Sequence, residues 1–197
     1  MSDQDRIRTG MVGTKAADAT LTDFDGRTVR LSDYWGTKPT LIVFLRHLGC
    51  IFCREQVALL RQRYADLRAA GVEVVCVAQG DHKTGKAFSI LMDLPYPILM
   101  CGDDTAVFRA YGLGRGTLGQ LFGLGSVVRG LQALFAGHRQ GKLVGDGFQM
   151  PGMFLIDTEG VVRFVHRPRH AGDNYDPALI LARLPEIVGG GVQPVTE

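Results

Sequence analysis

The chain is short of the features that most readily declare a function. Charge of one sign is not in excess: 22 Lys and Arg stand against 20 Asp and Glu in 197 residues, a net charge of +2. No electrostatic footprint for a nucleic acid follows from that balance. Long hydrophobic runs are missing too, since the most apolar stretch, Leu118 to Phe135, is broken by Gln120, Arg129, Gln132 and several glycines. No membrane span is expected. The first ten residues carry Asp3, Asp5 and Arg6 and lack the apolar centre of a secretory signal. Cysteine is scarce, and four in a chain of this size do not make a disulfide scaffold. A reducing, cytoplasmic location is the expectation, in which a close cysteine pair is catalytic rather than structural. The length suits one domain with enough interior for a sheet covered on both faces.

What is present centres on Gly49-Cys50-Ile51-Phe52-Cys53-Arg54. Upstream, Thr40 to Leu45 is a short uninterrupted apolar run, the pattern of a strand buried on both faces of a parallel sheet. Downstream, Cys53, Val57, Leu60, Tyr64 and Leu67 recur at helical spacing, and Gly71 supplies the stop. The dithiol is therefore predicted at the first turn of a helix. There, unpaired backbone N–H groups and the positive end of the helix dipole favour thiolate over thiol. Arg46 and Arg54 are close enough in sequence to add to the effect. One sulfur then acts as a nucleophile, and its partner three residues away closes an intramolecular disulfide. Half of a zinc site is an alternative, with His47 nearby, although Cys76 and Cys101 form no second pair. An inert pair of buried cysteines is the other.

Around this centre the chain reads in order. Leu21 to Leu31 alternates on both sides of Asp25-Gly26, a hairpin signal. Val72 to Ala78 is a second buried strand, parallel to the first, with Cys76 as a core residue. Lys86 to Leu94 reads as a helix, and Pro95 to Met100 as a short prolyl strand near an edge. Asp103 or Asp104 caps a helix that Gly112 ends. Cys101, at that junction, is either a packing residue or an additional resolving thiol. Leu113 to Met150 reads as an insertion of one or two broken, glycine-rich helices. It is either packed on the sheet, or a lid over the dithiol, or a surface for a partner or for a second copy in a homodimer. Met150-Pro151 opens an apolar strand to Ile156, which turns at Asp157 to Gly160 into Val161 to His166. Asp176-Pro177 starts a last helix. Residues 1–12 and 189–197 are expected to be flexible ends, with one domain over 13–188.

This order of elements resembles the thioredoxin-like superfamily: an α/β fold with a central mixed sheet flanked by helices, an N-terminal hairpin and a helical insertion. More closely, the chain is similar to the branch of alkyl hydroperoxide reductase and thiol-specific antioxidant proteins. Phe44 to Glu55, Gly145-Asp146-Gly147-Phe148-Gln149 and His166 to Asp173 look like its peroxiredoxin-like 2 group. The peroxiredoxin pattern would put the reactive cysteine on Cys53, its threonine on Cys50, its proline on Arg46 and its arginine on Pro151, so those three partners are replaced. The thioredoxin pattern would instead make Cys50 the exposed nucleophile, Cys53 the resolving thiol and Pro151 a cis-proline facing them, while that family's buried acid falls on Phe44.

The resemblance implies a cofactor-free redox enzyme that reduces disulfides, and hydroperoxides as an antioxidant. An external thiol reductant such as the thioredoxin or glutathione system would reset it, and no metal is needed. The catalytic set so implied is Cys50, Cys53, Pro151 and Arg46. A basic cluster of Arg163, His166, Arg167, Arg169 and His170 reads as solvated surface or as an anion or proton-transfer site. A non-enzymatic redox sensor using the insertion and a zinc module stand as alternatives.

Overall fold

The computed structural model describes residues 10–117, 145–170 and 172–189. The first nine residues, the tail from 190 and the broken helices expected within 118–144 lie outside the described residues. Thr40–Phe44 (β3) and Glu73–Ala78 (β4) form the parallel pair that their apolar runs predict, with Thr40 opposite Glu73 and Phe44 opposite Val77. Ile51–Ala69 (α1) makes the crossover. Gly152–Ile156 (β6) lies antiparallel on the free edge of β3, and Val162–His166 (β7) pairs antiparallel with β6. Beyond β4 come Ile98–Met100 (β5), then the hairpin of Thr20–Thr22 (β1) and Thr28–Arg30 (β2). The described strands make one mixed seven-stranded sheet in the order β2-β1-β5-β4-β3-β6-β7.

The alternation of a strand explains how one sheet serves two cores. Leu41, Val43 and Leu45 face one way, with Val57, Leu60 and Leu67 of α1 and Ile180 of the last helix (α4, Pro177–Gly189) in the same cluster. Ile42 and Phe44 face the other way, in a cluster with Phe108, Tyr111 and Phe154. Phe44 is the hub of that second core, its ring 5.0 Å from Phe108, 4.8 Å from Tyr111 and 5.7 Å from Phe154. At the position where the thioredoxin pattern has a buried acid, this chain builds an aromatic core. Cys76 is fully buried on the α1 side, its thiol pushed upward by burial, as a packing residue would be. Cys101 packs against the opposite core from Cys50 and Cys53, which removes it as a resolving thiol for them.

Three local expectations change. The prolyl strand is interior: Pro95 and Pro97 precede β5, so its residues keep their donors, and the β1–β2 hairpin covers its far side through Thr22 opposite Met100. The helix expected from Lys86 begins earlier, at His82 (α2, His82–Met92). Asp81 caps it by accepting the Thr84 N–H at 2.8 Å, and Gly85 inside it lies close against Met100. The helix after β5 is a single turn (α3, Ala106–Ala110) with Thr105 at its N-cap, while the Asp104 carboxylate accepts the Ala106 N–H. Gly112, at φ +67°, ends it as expected. Truncating the buried Phe154 should test how much the aromatic core carries. Phe154→Ala is expected to cost about 3–5 kcal/mol in denaturant unfolding, and a loss under about 1 kcal/mol would mean that this core is not needed.

Candidate active site

Between the end of β3 and the start of α1 the chain makes a short connection, anchored by the Leu45 N–H on the Val77 carbonyl at 2.8 Å. Cys50 is the N-cap of α1, with extended φ −71° and ψ 127°. Its N–H donates to the His47 carbonyl at 3.0 Å, and its own carbonyl accepts the Arg54 N–H at 3.1 Å. At this position a serine or aspartate oxygen would accept a first-turn amide. The sulfur closes no ordinary cap hydrogen bond. Its anion is nonetheless favoured by the backbone N–H groups of Cys53 and Phe52.

The largest influence on Cys50 is the thiol of Cys53, which donates a hydrogen bond to its sulfur. Burial opposes ionisation, and the Cys53 amide, the Arg46 charge and the Phe52 amide then favour it. The balance draws Cys50 from the usual thiol range down to about 6. The same hydrogen bond holds the proton on Cys53, whose ionisation burial and the Cys50 charge also oppose. The pair thus behaves as one system, with the charge on Cys50 and the proton on Cys53. Both are free thiols. Cys50 is only 2% exposed, against the open nucleophile that the thioredoxin pattern implies, and belongs to the buried cluster that holds Leu48 and Met150.

Of the two arginines singled out by the sequence, one takes part. Arg46 places Nη1 3.9 Å from the Cys50 sulfur, while its Nε and Nη2 donate to the Gly147 carbonyl, the former at 2.7 Å. Arg54 turns away to the Leu48 carbonyl at 3.5 Å. His47 is buried, and burial followed by the Arg46 charge pulls its imidazole down to about 4, so it is neutral at neutral pH. Among the described residues no group of three or more His, Cys, Asp or Glu could hold a metal ion.

Pro151 lines a narrow cleft, partly open to solvent, together with Cys53, Gln56, Met153, His166, Asp173 and Asn174. It therefore stands near the dithiol, but its peptide bond is trans rather than cis. Gln149 is bridged to Arg115, and Met150 donates to the Gly114 carbonyl at 3.0 Å, so an extended segment already runs straight into β6. The basic cluster does not converge. Arg163 pairs with Asp157 at 2.6 Å, Arg167 donates to the Tyr111 carbonyl at 2.9 Å, and His166 Nε2 lies 3.0 Å from the Asp173 carbonyl.

Sequence reasoning missed the polar residues that seat the helix start. Gln56 exchanges two hydrogen bonds with the backbone of Tyr175, at 2.9 and 3.0 Å. Asn174 donates to the Phe52 carbonyl at 3.0 Å and to the Glu55 carboxylate at 2.7 Å. A glutamine on the buried face of an amphipathic helix was the available signal for the first. Nothing local marks the second.

The sequence model of the AhpC/TSA family matches residues 12–165. Thiol-disulfide oxidoreductase ResA of Geobacillus thermodenitrificans is 34% identical over 106 residues, 52% of this chain and 58% of that protein. Chloroplastic peroxiredoxin Q of Gentiana triflora is 30% identical over 111 residues, 56% of this chain and 50% of that protein. The chain thus spans between half and three fifths of the length of these relatives. The crystal structure of peroxidoxin BcpB from Mycobacterium tuberculosis has the same fold, with a TM-score of 0.67 and 21% identity over 90% of this chain and 97% of that one.

The coupling of the two thiols makes a pH prediction. Alkylation at Cys50, followed by peptide mass spectrometry, should rise as the pH climbs through about 6 and level off above it. Cys53→Ala, which removes the S–H donor, should move that midpoint up by about 1–2 pH units. An unchanged midpoint would show that Cys53 does not stabilise the anion.

Proposed function

The chain belongs to the AhpC/TSA family, and from that membership we propose that it is a thiol-dependent oxidoreductase that cycles Cys50 and Cys53 between dithiol and disulfide. The observation that carries this reading is the cysteine pair at the start of α1, with Cys50 at the cap, the Arg46 guanidinium 3.9 Å from its sulfur and Cys53 beside it, an arrangement that favours the charge on Cys50 and the proton on Cys53. Cys50 is the nucleophile. Its thiolate attacks one sulfur of a substrate disulfide, forming a mixed disulfide and expelling the other sulfur as a thiolate. Loss of the negative charge on Cys50 removes what held the proton on Cys53. Cys53 gives up that proton to the departing thiolate or to water and attacks the Cys50 sulfur. This closes the Cys50–Cys53 disulfide and releases the second substrate thiol. An external thiol reductant, either one dithiol of the thioredoxin type or two molecules of a monothiol such as glutathione, reverses the exchange, is itself oxidised to a disulfide and restores both thiols, a cycle suited to a reducing cytoplasm.

A hydroperoxide reading is favoured by the family match itself and by peroxiredoxin Q among the relatives. In it, the Cys50 thiolate attacks the terminal peroxide oxygen to give a sulfenic acid and an alcohol. Cys53 then condenses with that acid to the same disulfide and one water. Disulfide exchange is the preferred reaction. At the positions where the peroxiredoxin pattern has its proline, threonine and arginine, this chain has Arg46, Cys50 and Pro151. Of these only Arg46 brings a charge to the sulfur.

Single serine variants separate the roles. Cys50→Ser should lower reduction of a model protein disulfide by about 100-fold or more. Cys53→Ser should instead accumulate a mixed disulfide through Cys50, visible by intact mass. The same variants assayed for hydrogen peroxide consumption test the second reading. Full activity in Cys50→Ser would refute both.

A further inference from the structure

Gln79 follows β4 directly. The parallel register that sets Phe44 beside Val77 continues past both strand ends and brings Gln79 alongside Arg46. It is a buried polar side chain, 1% exposed, and its amide is fully engaged. Nε2 donates to the Arg46 carbonyl at 2.7 Å and, more weakly, to the Asp146 carbonyl at 3.4 Å. Oε1 accepts the Asp146 N–H at 2.8 Å. The next carbonyl along, that of Gly147, is the one on which the Arg46 guanidinium is anchored. One glutamine thus grips the main chain of Arg46 and, through a single peptide, the acceptor of its side chain.

We propose that Gln79 is a positioning residue for the dithiol: by fixing the main chain of Asp146, the residue before Gly147, against Arg46, it keeps the guanidinium at contact distance from the Cys50 sulfur. The proposal rests on the reading of Cys50 as the reactive thiolate. Close packing supports it. Gly145 has φ +83°, and a Cβ there would fall 2.7 Å from both Cβ and Oε1 of Gln79. The loop is also tied on its other side, by Arg115 to Asp146 at 2.8 Å and by the Gly116 N–H to the Phe148 carbonyl at 2.7 Å. Losing Gln79 should therefore shift the Gly147 carbonyl locally rather than release the loop. A small shift is enough, because the attraction between the two charges falls with every ångström added to 3.9 Å.

Among the described residues, the charged and titratable groups around Cys50 are few. Cys53 belongs to α1, and Arg46 and His47 belong to the connection before it; the imidazole is already neutral above about 4. Arg54 is turned to Leu48, Glu55 meets the Asn174 amide, and Asp146 is paired with Arg115. Burial pushes Cys76 and Cys101 upward, so the first thiolate to form on raising the pH reports Cys50.

The test is the ultraviolet thiolate titration of the reduced, full-length chain in four forms: unaltered, Gln79→Met, Arg46→Met and the double variant. Gln79→Met should raise the Cys50 midpoint by about 1 pH unit, Arg46→Met by at least as much, and the double variant no further than Arg46→Met alone. Gly145→Ala crowds Gln79 without leaving its partners unpaired and should raise the midpoint in the same direction. A merely structural glutamine would lower the melting temperature and leave the midpoint in place. An unmoved midpoint in both Gln79→Met and Gly145→Ala overturns the proposal, as does an equal Gln79→Met shift with and without Arg46. If the unaltered chain shows no thiolate below the ordinary thiol range, the thiolate reading fails together with the proposal. If Arg46→Met moves the midpoint and Gln79→Met does not, only the positioning role fails.

Discussion

A hydrogen bond from one thiol to its neighbour, made where a helix begins, is the interaction on which the rest of the site depends. The Cys53 proton stabilises charge on Cys50, and the charge on Cys50 keeps that proton in place. Burial alone would hold both sulfurs neutral. The cap position adds amides whose partners the helix cannot supply, and Arg46 adds a full positive charge. These contributions are needed because the site is dry: Cys50 and Cys53 are 2% and 3% exposed. The same dryness strengthens each contact, since little water competes with it.

The fold supplies the geometry by exhausting β3 at one edge of the core. β3 sits between a parallel and an antiparallel neighbour, so its end, its register and the direction in which the chain leaves it are fixed from both sides. The connection to α1 then reaches the cap in a few residues. Gln56 and Asn174 clamp the first turns of α1 to the loop before α4, and Gln79 and the Asp146–Gly147 peptide brace the opposite side. Hydrogen-bonded glutamine and asparagine side chains thus brace a pair of thiols whose charge, among the described residues, is met by each other, a few amides and one guanidinium.

Much of this could be read in the sequence. The apolar runs of β3 and β4, the helical spacing from Cys53 to Leu67 and the cysteine pair at their junction were enough to place the dithiol at a helix start. The contribution of Arg46 was visible from proximity alone. Arg54 was equally close in sequence but points to Leu48, because on a helix a neighbouring number is not a neighbouring direction. Pro151 lines the same cleft as Cys53, yet its peptide is trans, since the pairing of 114–116 with 148–150 already delivers an extended chain to β6. Gln79 and Asn174 were not legible: each acts across more than 30 residues of chain, and such contacts leave no trace in local periodicity.

The central claim is that the two sulfurs form a redox couple. Its most direct test is peptide mapping of the reduced chain after one equivalent of a disulfide oxidant, with free thiols blocked by alkylation. A single intramolecular bond joining Cys50 to Cys53, with Cys76 and Cys101 still alkylatable once the chain is unfolded, is the predicted result. Cys50 and Cys53 left as free thiols, or bonds formed through Cys76 or Cys101 instead, would contradict it.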